Sequence, residues 1–380
     1  MNSRIYSLFG LFLVTLAALL IGGCDGSLEL NEIHIVHAIA IDKGENAPIR
    51  VTAEIAKIVS GGQQPKGMQS DSFYLYQEGD NVFEAARLMR NKSDRMLLWG
   101  HTSIILFSKD VMKQGLSQHV ESIRRLRQFR NSTLLYMTEG KAYEKLQISA
   151  PNLMITSQVL KGLAGNSNTT ALTKKVTLID VYRDYINEFR DIVIPAILRV
   201  KDSEDDKHIL QATGLYIFEK DRLAGKLSPK QTKAYMRASN QMSGSLEKIP
   251  CDSGKEISFE NINNNSKMHV TLDSEHKPQV AFNITADLTI TDLPCQEFDI
   301  TPSMIHAWED QLNEKIAEDI RKFIRYTQKR HTDLLGVGEW IHRKHPQLWR
   351  SMKDNWPEQY SGIKPKIEVH TRIDHSNFIT

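Results

Sequence analysis

The side chain best placed for chemistry is the thiol of Cys24. Residues 5–23 form an apolar run that follows a single charge, Arg4, and ends in Gly22 and Gly23; the chain turns polar at Asp25. A basic start, an apolar stretch and small residues at its end describe an export signal. A cysteine directly behind the small residues makes it a bacterial lipoprotein signal, removed as residues 1–23. The Cys24 sulfur then takes a diacylglyceryl group and the new amino terminus an N-acyl chain. Each buried methylene contributes about 0.8 kcal/mol and stable anchoring takes about two chains, which the diacylglyceryl group supplies. The same run is long enough for a retained transmembrane helix, since about 18 apolar residues suffice. Under either reading the remaining chain is tethered to a membrane.

No other constellation reaches that specificity. Gly-x-Ser-x-Gly is absent, so no nucleophile elbow is expected. His-Glu-x-x-His is absent too. Glu339, His342 and His345 recur in steps of three, which fans the outer pair around a helix instead of stacking them as ligands; they read as a solvated helix face. Gly336-Val337-Gly338 lacks the third glycine and the preceding strand of a dinucleotide loop. Arg124, Arg125, Arg127 and Arg130 form the one basic cluster. A solvated face pairing with neighbours such as Glu121 is the leading reading, with a phosphate or lipid-headgroup role as its alternative. Cys251 and Cys295 can form one disulfide in an oxidising setting, but their spacing does not decide whether they do. Trp308, Trp349 and Trp356 read as core. Trp340 lies off the stripe of Leu334, Val337 and Ile341 and is the candidate partner contact, because tryptophan is enriched at binding hot spots. No catalytic, cofactor-binding or metal-binding residue is assigned, and the chain reads as a non-enzyme.

Composition sets the frame for these residues. The 380 residues carry 48 Lys and Arg against 46 Asp and Glu, a net charge of +2. That balance provides no overall field for nucleic acid, whose binding rests on neutralised phosphates. The 41% hydrophobic and 25% charged residues are those of an ordinary globular chain, long enough for two or three domains of about 100–200 residues.

The hydrophobic pattern supplies the elements. Residues 33–42 read as a buried strand, and Ile49, Val51, Ala53 and Ile55 alternate with polar partners as a half-exposed one. Residues 60–70 are a loop by composition. Helices over 81–90 (Asp80 as its cap), 119–129, 141–147, 152–161 and 176–189 interleave with strands over 102–107, 133–137 and 192–200, which makes residues 24–200 an α/β domain. The charged segment 200–208 marks a boundary. Residues 208–380 read as an α+β domain, divisible further into three domains in all. It opens with a hairpin over 214–219 and 222–227 and a helix over 229–239, and Asn263, Asn264 and Asn265 read as a turn. The clearest strand covers 280–290. Ile305, Trp308, Leu312, Ile316, Ile320 and Phe323 line one face of a long helix over 301–330. A helix over 332–344 and a strand over 367–373 close the chain. The fold class is thus α/β plus α+β, with mixed and antiparallel sheets and packed helices.

The chain also resembles the Ger(x)C family of spore germination lipoproteins. The resemblance rests on Asp333, Gly336, Gly338, Glu339 and Trp340, the basic run to Pro346, then Trp349, Lys353, Asp354, Asn355 and Trp356. Further matches are Glu29 to Glu32, Ile41-Asp42-Lys43, Trp99-Gly100-His101, and Gly214 to Phe218 with Leu223 and Gly225. It departs at Asp25-Gly26, where the family often has Trp-Asp, at Val337, where Phe is common, and over residues 240–275. The resemblance implies a non-enzymatic C subunit of a nutrient germinant receptor, anchored in a bacterial cell membrane or spore inner membrane on its extracytoplasmic face. It implies work beside an A and a B membrane subunit, with the bilayer as the partner of the Cys24 chains. An exported solute-binding lipoprotein is the alternative and needs two similar lobes around a cleft. A lipid-anchored hydrolase needs convergent acid and base groups in a pocket.

Overall fold

A computed structural model describes residues 29–57, 72–148, 155–187, 189–202, 207–251, 254–294 and 300–374. Cys24, the expected loop at 60–70 and Cys295 lie outside these residues; Cys251 is disulfide-bonded. Among the described residues no helix is long and apolar enough to cross a membrane.

The first sheet starts with β1 (Ile33–Lys43), flanked by β2 (Ile49–Ala56) and β3 (Ser72–Gly79) as an antiparallel meander. Helix α1 (Val82–Met89), capped by Asn81 and not by Asp80, carries the chain back beneath the sheet. Short β4 (Met96–Leu98) and then β5 (Ile104–Ser108) join β1 in parallel. Helices α2 (Lys109–Met112) and α3 (Ser117–Arg125) lead to parallel β6 (Leu134–Thr138). Helices α4 (Ala142–Leu146), α5 (Thr156–Gly165), α6 (Ser167–Thr170) and α7 (Leu178–Ile186) lead to parallel β7 (Val193–Lys201). The expected boundary at 200–208 joins two strands of this same sheet. Antiparallel β8 (His208–Glu219) and β9 (Arg222–Leu227) follow and close its edge.

Helices cover both faces of the central strands, which explains the unbroken apolar run at 33–42. Ile39, Ile41, Ile105, Phe107, Leu135 and Met137 face one core. Ala38, Ala40, Ile104, Leu106 and Tyr136 face the other, under α4 and α5. Two buried carboxylates fix those covering helices. Asp42 accepts the Ala142 and Tyr143 N–H at 2.6 and 3.0 Å, and Glu54 accepts those of Thr156 and Ser157 at 2.9 and 3.1 Å. A carboxylate at a helix N-terminus satisfies donors that lack intrahelical partners. The Glu54 cap sets the start of α5 at Thr156, later than the pattern suggests.

The second sheet is β10 (Ser245–Pro250), β11 (Glu256–Leu272), β12 (Pro278–Asp292) and β13 (Lys366–Asp374), antiparallel except for the β12–β13 pair. Asn263, Asn264 and Asn265 do not turn: they lie inside β11, paired with Asp287, Ala286 and Thr285. A register shift between Asn261 and Asn263 breaks the alternation there, and the buried positions are Asn261 and Asn264 instead of apolar residues. The long helix α9 (Pro302–Gln328), capped by Thr301, lays its expected stripe on this sheet. Helix α8 (Pro229–Ala238) packs beside it. The helix expected at 332–344 is present as α10 (Val337–Lys344), starting after the turn at Asp333, and two further short helices, α11 (Pro346–Met352) and α12 (Trp356–Gly362), follow it. One continuous core runs from Ile39 through Tyr235 and Phe323 to Phe282, Trp349 and Trp356, so the two sheets share buried surface.

Candidate functional site at the junction of the sheets

The tail motif folds as a latch between the two halves. Asp333 is 2% exposed. Its carboxylate accepts the N–H groups of Gly336, Val337 and Gly338 at 2.9, 3.1 and 2.7 Å, filling the start of α10. Gly336 takes φ +75°, and a Cβ there would lie 2.7 Å from the Arg190 guanidinium. A Cβ on Gly338 would lie 2.8 Å from the Trp349 ring and 2.9 Å from Trp356 Nε1. One glycine therefore answers to backbone conformation and Arg190, the other to close packing. Asp191, from the segment before β7, closes the latch from the first half. It accepts the Asp333 N–H at 2.7 Å and the Lys220 N–H at 2.9 Å, and its own N–H reaches the Asp333 carbonyl at 3.2 Å.

Burial pushes both carboxyls above the ordinary carboxylate range. Asp191 rises to about 7, with the Asp333 and Glu219 charges adding to burial. The three backbone N–H groups and Arg190 oppose the rise at Asp333. Such a pair invites an acid–base reading, but every one of its four oxygens already accepts a backbone N–H. The cavity that both carboxylates line, with Asp184, Glu219, Asp221 and Lys353, holds about 190 Å³, below the roughly 300–1,000 Å³ of small-molecule sites. The pair is a fastener.

Glu339 and His342 are half-buried against the first half instead of lying on a solvated face, whereas His345 is exposed as expected. Glu339 pairs with Arg190 at 2.7 Å, and His342 stacks on Phe189 with ring centroids 3.8 Å apart and planes within 12°. The face of α10 lies against the first half, a contact that periodicity alone does not show. Among the described residues no group of three or more His, Cys, Asp or Glu is placed to hold a metal ion. Trp340 is half-buried, its ring 5.8 Å from that of His345 at the rim of the shared core. Trp308, Trp349 and Trp356 are core.

The arginine cluster divides. Arg124 lies over the Tyr182 ring at 3.3 Å, and Arg125 pairs with Glu121 at 3.6 Å. Arg130 instead lines a separate basic cavity with His37, His101, Lys161 and Lys175. These four come from separate segments and carry no spacing signal.

Sequences of one known family match this chain in both halves. A family model described as "Spore germination protein N-terminal domain" matches residues 26–198, and one described as "Spore germination B3/ GerAC like, C-terminal" matches residues 213–377. The chain belongs to the Ger(x)C family of spore germination proteins. It is 26% identical to Spore germination protein KC of Bacillus subtilis (strain 168), over 95% of this chain and 94% of that one. It is 22% identical to Spore germination protein GerQC of Bacillus cereus, over 96% and 98%. The crystal structure of the GerBC protein shares its fold, with a TM-score of 0.57 and 18% identity over 88% of this chain and 96% of that chain.

Proposed function

We propose that this chain is the lipid-anchored C subunit of a nutrient germinant receptor. It is held through the acylated Cys24 at the extracytoplasmic face of a cell or spore inner membrane. It works without catalysis, as a scaffold or coupling subunit beside the A and B membrane subunits, and Trp340 is a partner contact. The observation that carries this reading is the pair of germination-family matches, in order, across both halves. The latch supports it, because its carboxylates are committed to backbone N–H groups and hold two halves as one block. A solute-binding protein would need matched lobes, and the two sheets here are unlike in size, order and strand direction.

The test replaces Cys24 with Ala in a strain lacking other C subunits. The expected result is loss of the acyl label, loss of membrane retention and an impaired nutrient response. Retention of the acyl label would overturn the anchor. A normal nutrient response after complete removal of the protein would overturn the receptor role.

A further inference from the structure

A cavity of about 500 Å³ opens at the end of the first sheet where β1 begins, between that strand, the starts of β5 and β6, and α5. His37, His101, Arg130, Lys161 and Lys175 line it, and among the described residues no Asp or Glu does. The five come from β1, the turn before β5, the loop before β6, α5 and the loop before α7, so only the fold gathers them. None makes an ion pair or a side-chain hydrogen bond among the described residues. Burial pushes the half-buried His37 imidazole below its ordinary value, and the charges of His101 and Lys161 push it further. Ser157, 1% exposed, also lines the cavity. Its hydroxyl is buried and directed to the Glu54 carboxylate. Glu54 lies behind Ser157, committed to the N–H groups that start α5.

Like charges around a concave surface focus potential and raise the local concentration of the opposite ion. Three permanent cations and two imidazoles match a group with several anionic oxygens better than a single carboxylate. We infer that this cavity binds a phosphate-bearing anion, with Arg130, Lys161 and Lys175 supplying charge. A free phosphate ester and an anionic lipid headgroup share that chemistry. The second source rests on the membrane-anchored reading: β1 begins within about 32 Å of extended chain from Cys24.

The test is calorimetric titration of the full chain in neutral detergent. The ligands are inorganic phosphate and water-soluble short-chain phosphatidylglycerol, with short-chain phosphatidylcholine as the zwitterionic control. Saturable binding of at least one anion is expected. It should weaken about 30-fold in the Lys161→Gln/Lys175→Gln double variant, at about a factor of five for each basic residue near an anionic surface. Lys322→Gln, on the exposed side of α9, should leave it unchanged. Binding of phosphate without the lipid assigns a free phosphate ester, and binding of the lipid without phosphate assigns the headgroup. Absence of binding by either, or binding that survives the double variant, overturns the site. The phosphate arm needs no anchor, so its failure is separate from any failure of the Cys24 reading.

Discussion

Both sheets collect basic side chains, and they treat them in opposite ways. Beneath the second sheet, Arg237 and Glu247 are each 2% exposed. Glu247 meets Arg237 at 3.0 Å, Lys233 at 2.9 Å and Lys315 at 2.7 Å. Arg237 also donates to Asn261, Asn264 and Ser245. At the first sheet, five basic residues share a cavity and no carboxylate among the described residues lines it. Desolvating a charge costs several kcal/mol unless it is paired and hydrogen-bonded. The charges needed to close the fold are therefore neutralised inside, and a cluster left unneutralised has to stay in contact with water. The difference separates charge that stabilises from charge that is available to a ligand.

The sharpest way to break this contrast is to remove the buried acid. Glu247→Gln leaves Arg237 buried without its counter-charge and is expected to cost about 3–5 kcal/mol, read from urea unfolding. Lys161→Gln in the open cavity should stay within about 0.5 kcal/mol. The pH dependence of the native protein carries the same signature. Burial alone would raise the Glu247 carboxyl, but Lys233, Arg237 and Lys315 outweigh it and hold it at about 2, against an ordinary 4.5. A depressed folded value means stability present above pH 4.5 and lost as pH falls toward 2, about 3 kcal/mol in all. Equal costs for Glu247→Gln and Lys161→Gln would erase the distinction between the clusters.

The junction is the intermediate case, with acid in excess and no full neutralisation. Asp191 rises from an ordinary 3.8 to about 7, chiefly through burial. A carboxyl raised in the folded state holds its proton while the unfolded chain releases one. Its contribution is fully present below about pH 4 and declines as pH climbs through 7. Stability measured between pH 4 and 7 should therefore slope downward in the native protein. In Asp191→Asn the curve should be displaced but flatter, because the titrating group is gone. An unchanged slope in that variant would mean that Asp191 does not titrate between pH 4 and 7 and that the slope arises elsewhere.

How far the sequence discloses these regions depends on whether each is a pattern or a meeting. The run at 33–42 and the α9 stripe are local periodicities, so their burial is readable directly. Asn263, Asn264 and Asn265 mislead because a polar triplet resembles a turn, whereas Asn261 and Asn264 are buried to receive a distant arginine. The glycines of the tail are recognisable as a motif, but their reason lies in Arg190, Trp349 and Trp356, which only folding brings near. The basic cavity is the extreme case. His37, His101, Arg130, Lys161 and Lys175 are scattered across much of the first half, and only Arg130 belongs to a cluster visible in one dimension.

Trp340 gives the smallest effect on stability and the most direct reading of which surface is available. It is half-buried at the rim of the shared core, beside His345. Its truncation to Ala removes only part of the apolar area that a core tryptophan would lose, so it should cost about 1 kcal/mol, well below the roughly 3–5 kcal/mol of a core Trp→Ala change. A partner contact would instead be lost in assembly, where truncating a tryptophan anchor typically costs 2 kcal/mol or more. Recovery of the membrane subunits with the Trp340→Ala chain should therefore drop by about 30-fold at limiting concentration, with near-normal unfolding. Trp349→Ala should reverse the order, unfolding first, because it packs on Gly338 and Phe189. Should Trp340→Ala unfold the chain as readily as Trp349→Ala does, Trp340 belongs to the core and the partner surface lies elsewhere.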